Sequence, residues 1–371
     1  MKILCLIDGL GSGGAQRQII NLAIGLKNRG HFVEMIAYTD ADFYLDKLKS
    51  ANISYKVVGN KNYFERVIKI RSYIRKSNAD AVISFLETPN FISCVSSIGR
   101  HQWVLITSER NAKEYEFKNK RGKFMKWFER FSDWTVCNSK VAEQLWKNYY
   151  PQYKERVSTI YNPVIIQNNI IQKHNESKEL RIVIAASYQK LKNPLGLVEA
   201  FHLLNDQYKQ RLHIDWYGKK VGGENEGVFD KACDLRRKYG LEKYISFNGE
   251  TNEIYKEMID SDAVALFSEV EGLPNTICEG MMCGKPILMS RMSDYKTLVS
   301  EYNGFLCDAN NPATIAEALQ KFADLTPQQR NKMGNVSKEM AQKLFDPEKN
   351  IDQWEKIIKS LVSKKRKTII V

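Results

Sequence analysis

The sequence predicts an α/β protein made of two domains, each a doubly wound parallel sheet. Three observations predict it. Short apolar runs of strand length alternate with stretches of helical period. The alternation breaks near Asn162-Pro163 and restarts at Arg181. A chain of 371 residues is long enough for two domains that each bury a core. Alternation of this kind builds βαβ units, and hence parallel sheets covered by helices on both faces.

In the first half, Lys2 to Ile7 reads as a buried strand, and Asp8 stops the run too early for the apolar core of an export signal. Asp8-Gly9-Leu10-Gly11-Ser12-Gly13-Gly14 then leads into a helix from Ala15 to Arg29. Gly9, Gly11 and Gly14 have the G-x-G-x-x-G spacing, which lets backbone approach phosphate at a helix N-terminus. An oxidoreductase using NAD is therefore one reading, although it needs an acidic residue about 20 positions on, and Asp40 and Asp42 lie beyond that. Phe32 to Tyr38 reads as a strand, Tyr63 to Arg75 as a helix, and Ala81 to Phe85, Trp103 to Thr107 and Trp134 to Cys137 as strands. After Val157 to Ile160 the polar run Gln167 to Ser177 suggests a linker.

The second half repeats the pattern. Arg181 to Ala186, Leu212 to Trp216, Tyr244 to Phe247, Ala263 to Phe267 and Pro286 to Met289 are strand-like, while Pro194 to Leu204, Phe229 to Tyr239, Ala313 to Leu325 and Asn350 to Leu361 are helical. Between two of these strands lies a loop and one short helix. Pro274 suits its first turn, and Gly284 suits a left-handed C-terminal cap. Starting just past the carboxyl end of a strand, this helix offers the N–H groups of Leu273 to Thr276 and a positive dipole end to an anion such as phosphate. Glu271 stands before the helix and Glu279 more than one turn inside it. A carboxylate accepts hydrogen bonds from vicinal hydroxyls, so two carboxylates flanking a phosphate site suit a diphosphate with a sugar at each end.

Composition narrows the classes. The net charge is +13, and residues 1–162 carry 26 Lys and Arg against 15 Asp and Glu, leaving 30 against 28 for the remainder. A basic first half attracts nucleic acid or an anionic membrane surface. No apolar run reaches the roughly 18 residues of a membrane-spanning helix. Seven cysteines without a CxxC argue against disulfides and zinc, and so for a reducing cytoplasm. Asp260-Ser261-Asp262 has the Asp-x-Asp spacing of a metal site but precedes its strand instead of following it, so no essential metal is expected.

Glu271-Gly272-Leu273-Pro274, with Glu279-Gly280-Met281 and Gly284-Lys285-Pro286, resembles the Glu-x7-Glu signature of the retaining, nucleotide-sugar-dependent glycosyltransferases of family four. The resemblance implies the GT-B fold, two Rossmann-like domains facing across a cleft. It implies an acceptor domain at 1–165, a donor domain at 166–345 and a last helix, 346–371, that crosses back to the first domain. It also implies that Glu279 binds the ribose hydroxyls and Glu271 the transferred sugar, with Gly272, Leu273, Pro274 and Asn275 near sugar and phosphates. Gly13-Gly14-Ala15-Gln16 matches the family's first-domain loop, so Gly13 and Gly14 are expected at the diphosphate. Lys192 falls on the family's Lys position, but Ser187 replaces its Arg, and Lys190 or Arg17 are the substitutes at hand. The expected reaction moves a sugar from a nucleoside diphosphate, used as co-substrate with no other cofactor, to a glycan or polyprenyl-linked acceptor. Nucleic acid is not expected as a partner.

Remaining candidates lie in the first half. Glu87 and Glu109-Arg110 sit at carboxyl ends of strands and either orient the acceptor hydroxyl or form loop salt bridges. Phe117 to Phe131 reads as one helix with Phe117, Phe124, Met125, Phe128 and Phe131 on a face, Trp127 beside them, and Lys118, Lys120, Arg121, Lys123, Lys126 and Arg130 supplying charge. Such a helix lies in a membrane interface or covers a core with its basic face wet.

Overall fold

Runs such as Ile3-Leu4-Cys5-Leu6 are apolar on both faces, so they are stable as strands only when covered from both sides. The computed structural model of the chain, which describes residues 1–59, 62–166 and 179–370, covers them so. The chain divides into two units, Met1–Pro163 with Pro347–Val371, and Val164–Asp346. The run Gln167 to Ser177, expected as a linker, lies outside the described residues.

The first unit holds strands β1 (Lys2–Leu6), β2 (Phe32–Ala37), β3 (Ser54–Val57), β4 (Ala81–Phe85), β5 (Val104–Glu109), β6 (Trp134–Cys137) and β7 (Val157–Thr159). They form one parallel sheet in the order β3-β2-β1-β4-β5-β6-β7. The order reverses between β1 and β4, and ligands of open α/β sheets bind beyond the carboxyl ends of such a pair. Helix Gly14–Asn28 buries Ile19, Ile20, Ala23 and Leu26 on the sheet. The last helix, Pro347–Ile370, belongs to the same core, where Ile351, Trp354 and Ile358 are almost wholly buried and Trp354 stacks on Phe85 at 5.9 Å. Its approach is close, since a Cβ on Gly25 would meet the Ile351 side chain at 2.3 Å.

The second unit holds β8 (Leu180–Ala185), β9 (Leu212–Tyr217), β10 (Ile245–Asn248), β11 (Ala263–Leu266), β12 (Ile287–Ser290) and β13 (Gly304–Cys307), parallel in the order β10-β9-β8-β11-β12-β13. Here the reversal falls between β8 and β11. Helix Asn275–Met282 lies so close to β11 that a Cβ on Gly280 would meet the Val264 side chain at 2.6 Å. Gly284 ends this helix at φ +71°.

Several elements escaped the sequence pattern. β3 is an edge strand with little buried side-chain surface, and β13 is short and begins with a glycine whose absent Cβ makes room for the Ile287 carbonyl. Helix Pro327–Leu344 has no clear apolar stripe. It is fixed by a capping box between Thr326 and Gln329 and by Gly334 seated against the Gly284 carbonyl.

The stretch Phe117 to Phe131 is not one helix, which corrects the expectation. It runs as Glu114–Lys118, Lys120–Trp127 and a tight turn at Phe128–Phe131. Asn119 is extended and caps the second helix by accepting from Gly122 N–H at 2.7 Å. A side chain at Gly122 would collide with the Glu116 carbonyl. Phe117 therefore points inward at 1 % exposure, while Phe124 is 57 % exposed, and the two do not share a face. Lys126, expected on the wet basic side, is buried beside Glu109.

Candidate functional site

The second unit brings its sequence-predicted residues together at the β8–β11 reversal. After β8 the chain passes Ser187 and makes one tight turn, Lys190–Lys192, before Asn193 takes φ +64° and caps helix Pro194–His202 through Gly196 N–H at 3.1 Å. After β11 it forms the loop Phe267 to Pro274. The two loops are tied by Glu269 N–H donating to the Leu191 carbonyl at 2.8 Å. Across this tie the Lys192 ammonium meets the Glu271 carboxylate, and the same carboxylate oxygen accepts from Ser268 Oγ at 2.8 Å. Both side chains are mostly shielded, at 19 % and 13 % exposure. Lys190, by contrast, is exposed, and its backbone N–H donates to Asn225.

The short helix next to this pair is held by polar side chains that sequence reasoning missed. Thr276 Oγ1 donates to the Ala185 carbonyl at the end of β8, and Ser293 Oγ to the Gly272 carbonyl. Ser290 Oγ donates to the Ser268 carbonyl. A small polar residue directly after an apolar run, as Ser268 and Ser290 are, was the available signal. Pro274 caps the helix instead of starting it, with Gly272, Leu273 and Pro274 buried and Asn275 half-buried. Glu279 is 5 % exposed. Burial first, and then the Glu279 charge, push the neighbouring Cys283 thiol up to about 12, so that thiol is no nucleophile. Lys285 ends the segment by donating to the Ile259 and Ser261 carbonyls at 2.6 and 2.7 Å, closing the preceding helix.

In the first unit the glycine-rich loop follows β1. Gly13 is the extended residue before helix Gly14–Asn28, and no side chain caps that helix end. Asp8 ties the loop internally, accepting from Gly9 N–H at 2.8 Å and Gln16 Nε2 at 2.9 Å. A Cβ on Gly9 would meet Thr39 Oγ1 at 2.0 Å, so glycine here serves loop packing. Asp40 and Asp42 are exposed past the end of β2.

Glu87 opens helix Glu87–Ser96 and pairs with Arg121 at 3.7 Å. Glu109 is buried, with Oε2 on Lys126 Nζ at 2.5 Å, and Lys126 Nζ also lies 4.3 Å from the Phe117 ring centroid. Both acids are thus ion-paired. Nearby, burial pushes the Glu129 carboxyl up to about 7. Arg110 lies 4.2 Å over the Phe85 ring and donates to Ser108 Oγ at 3.2 Å and Asn162 Oδ1 at 2.6 Å. Lys123, Phe124 and Trp127 are exposed. Among the described residues no group of three His, Cys, Asp or Glu is placed to hold a metal, and no helix is long and apolar enough to cross a membrane.

Residues 12–168 match the description Glycosyltransferase Family 4, and residues 166–340 match Glycosyl transferases group 1. The chain is 24% identical over 336 residues to a Campylobacter jejuni α-1,4-N-acetyl-D-galactosaminyltransferase of a diNAcBac-PP-undecaprenol-linked glycan, covering 86% of this chain and 88% of that one. It is 23% identical to the Staphylococcus aureus capsular polysaccharide biosynthesis glycosyltransferase CapH, covering 87% of this chain and 90% of that one. Among solved structures, Anabaena HepE in complex with UDP-glucose superposes with a TM-score of 0.85 at 18% identity, over 97% of this chain and 100% of that one.

Proposed function

Because the chain belongs to the glycosyltransferases, of family four across its first half and group 1 across its second, we propose that it moves a sugar from a nucleoside-diphosphate donor to a hydroxyl of a glycan or polyprenyl-linked acceptor in surface polysaccharide synthesis. This membership displaces the NAD-dependent reading of the Gly9 to Gly14 loop. The observation that supports the donor class most is the Lys192–Glu271 pair at the β8–β11 reversal, beside the start of helix Asn275–Met282.

The pair suggests how binding and chemistry connect. Without donor, the lysine and the carboxylate neutralise each other. A diphosphate brings more negative charge than Glu271 carries, so it takes the ammonium, and the released carboxylate accepts from the vicinal hydroxyls of the transferred sugar. Glu279 holds the ribose diol in the same way. As the sugar–phosphate bond breaks, Lys192 and the N–H groups opening the helix stabilise the charge gathering on the leaving diphosphate. The acceptor attacks from the face the diphosphate leaves, with retention of anomeric configuration. The first unit, Met1–Pro163 with Pro347–Val371, holds the acceptor.

The reaction proceeds without an essential metal, and the protein lies peripherally on the inner face of the cell membrane. Phe124 and Trp127, 57 % and 48 % exposed beside Arg121 and Lys123, are the apolar and basic groups that such a surface accommodates. The test is a melting-temperature panel of nucleoside diphosphates and their sugars, since a ligand bound only to the folded state raises the transition. A UDP- or GDP-type ligand stabilises the wild type and loses most of its effect on Glu279→Ala. Equal stabilisation of the variant would remove Glu279 from the ribose site. Product anomers read by NMR check retention, and rates in EDTA check metal independence.

A further inference from the structure

Arg110 is the first residue after β5, and its side chain leans back over Phe85, the last residue of β4, with the guanidinium carbon 4.2 Å from the ring centroid. That places a cation at the carboxyl ends of the strands beside the β1–β4 reversal, the ligand-binding edge of this sheet. Its polar partners are neutral, Ser108 Oγ at 3.2 Å and Asn162 Oδ1 at 2.6 Å. The adjacent carboxylate is committed elsewhere. Glu109 Oε2 faces Lys126 Nζ at 2.5 Å, and Oε1 accepts the backbone N–H groups of Arg110 and Asn111 at 3.2 and 3.4 Å. Among the described residues no carboxylate lies within 4.0 Å of the Arg110 guanidinium.

Other shielded arginines of the protein have structural partners. Arg181 meets Asp215 at 2.5 Å and also Glu257, while Arg71 and Arg156 donate to backbone carbonyls, at 3.0 Å to Ile98 and 2.6 Å to Ser132. Arg110 has neither a carboxylate nor a row of carbonyls. Burial accordingly lowers its guanidinium to about 9. A guanidinium has five N–H donors in a planar fork that fits two oxygens of a phosphate. The Phe85 face fixes the plane of that fork.

We propose that Arg110 binds a phosphate group of the acceptor, so that this enzyme glycosylates phosphate esters in preference to neutral glycans. The proposal rests on the reading of the first unit as the acceptor domain. The phosphate belongs either to a polyprenyl-linked diphosphate or to a soluble sugar phosphate, and the same contact serves both.

The test uses the full-length protein held with a saturating concentration of whichever nucleoside diphosphate stabilises it, so that the donor's own phosphate site is occupied. Wild type, Arg110→Gln and Arg110→Lys are titrated with geranyl diphosphate, glucose 1-phosphate and, as a neutral probe, octyl glucoside. At least one phosphate probe is expected to bind the wild type, and Arg110→Gln to weaken it tenfold or more. The probe that responds identifies the source. Arg110→Lys, which keeps the charge but loses the fork, should bind several-fold more weakly, and it carries the test if the Gln variant does not fold. The nucleoside diphosphate response itself should be the same in all three proteins. Wild-type affinity for the phosphate probe in a folded Arg110 variant overturns the proposal, as does a wild type that takes only octyl glucoside or none of the three probes. A wild type that answers to no nucleoside diphosphate contradicts the donor reading instead.

Discussion

Replacing Lys192 with Met separates a catalytic cation from a structural one. The lysine and Glu271 are 19 % and 13 % exposed, between the fully buried pairs whose disruption costs about 3–5 kcal/mol and the exposed pairs worth under about 1. After the change Glu271 keeps Ser268 Oγ at 2.8 Å, so the carboxylate is not left without a donor. The expected loss of stability is therefore about 1–2 kcal/mol, or a melting temperature lower by roughly 2–8 °C for a unit of this size. Chemistry should suffer more. Removing one group aimed at charge that develops on a leaving diphosphate costs about 10²–10³ in kcat, or about 3–4 kcal/mol. The assay is the initial rate of nucleoside diphosphate release, measured well below the variant's melting temperature, with Lys192→Arg as the control that keeps the charge. A folded Lys192→Met enzyme within about threefold of wild-type kcat would refute the assignment of this lysine to the leaving group.

Four further outcomes follow from the geometry. Lys126→Met leaves the Glu109 carboxylate buried without its cation and should cost about 3–5 kcal/mol in urea titration, whereas Phe124→Ser with Trp127→Ser should weaken sedimentation with anionic vesicles. Glu129 holds its proton up to about pH 7 when folded and releases it near 4.5 when unfolded, so its contribution is complete below about pH 4.5 and lost as pH rises through 7. Glu129→Gln should thus gain stability over wild type between pH 5.5 and 8, by on the order of 2 kcal/mol, read as a difference in melting temperature that grows with pH. Gly280→Leu has no room against Val264 and should destabilise by about 1–3 kcal/mol while abolishing nucleoside diphosphate binding, both measurable by calorimetry.

The parts of this fold that were legible in the sequence are those whose signal is local. Buried parallel strands such as β1, β4 and β11 are continuous apolar runs, and the helix before Gly284 announces its end by a residue that takes φ +71°. Glu271 and Lys192 were each readable from motif and position. Their pairing was not, because it joins loops 79 residues apart and depends on which strands are neighbours at the reversal. Lys126 was misread because a helical projection assumes an unbroken helix. The break at Asn119 rotates Phe117 away from Phe124 and turns Lys126 under the Phe117 and Trp146 rings. β3 and β13 were missed because edge strands need little apolar surface, and their order in the sheet is a tertiary property.

The central claim, that the carboxyl edge of the second unit grips a sugar nucleotide, is tested most directly by a crystal structure with the stabilising nucleoside diphosphate sugar. The expected density puts the diphosphate at the start of helix Asn275–Met282 with Lys192 turned from Glu271 onto a phosphate oxygen, Glu279 on the ribose diol and Glu271 on the sugar. Nucleotide bound at the Gly9 to Gly14 loop alone, with the Lys192–Glu271 pair intact, would contradict the account.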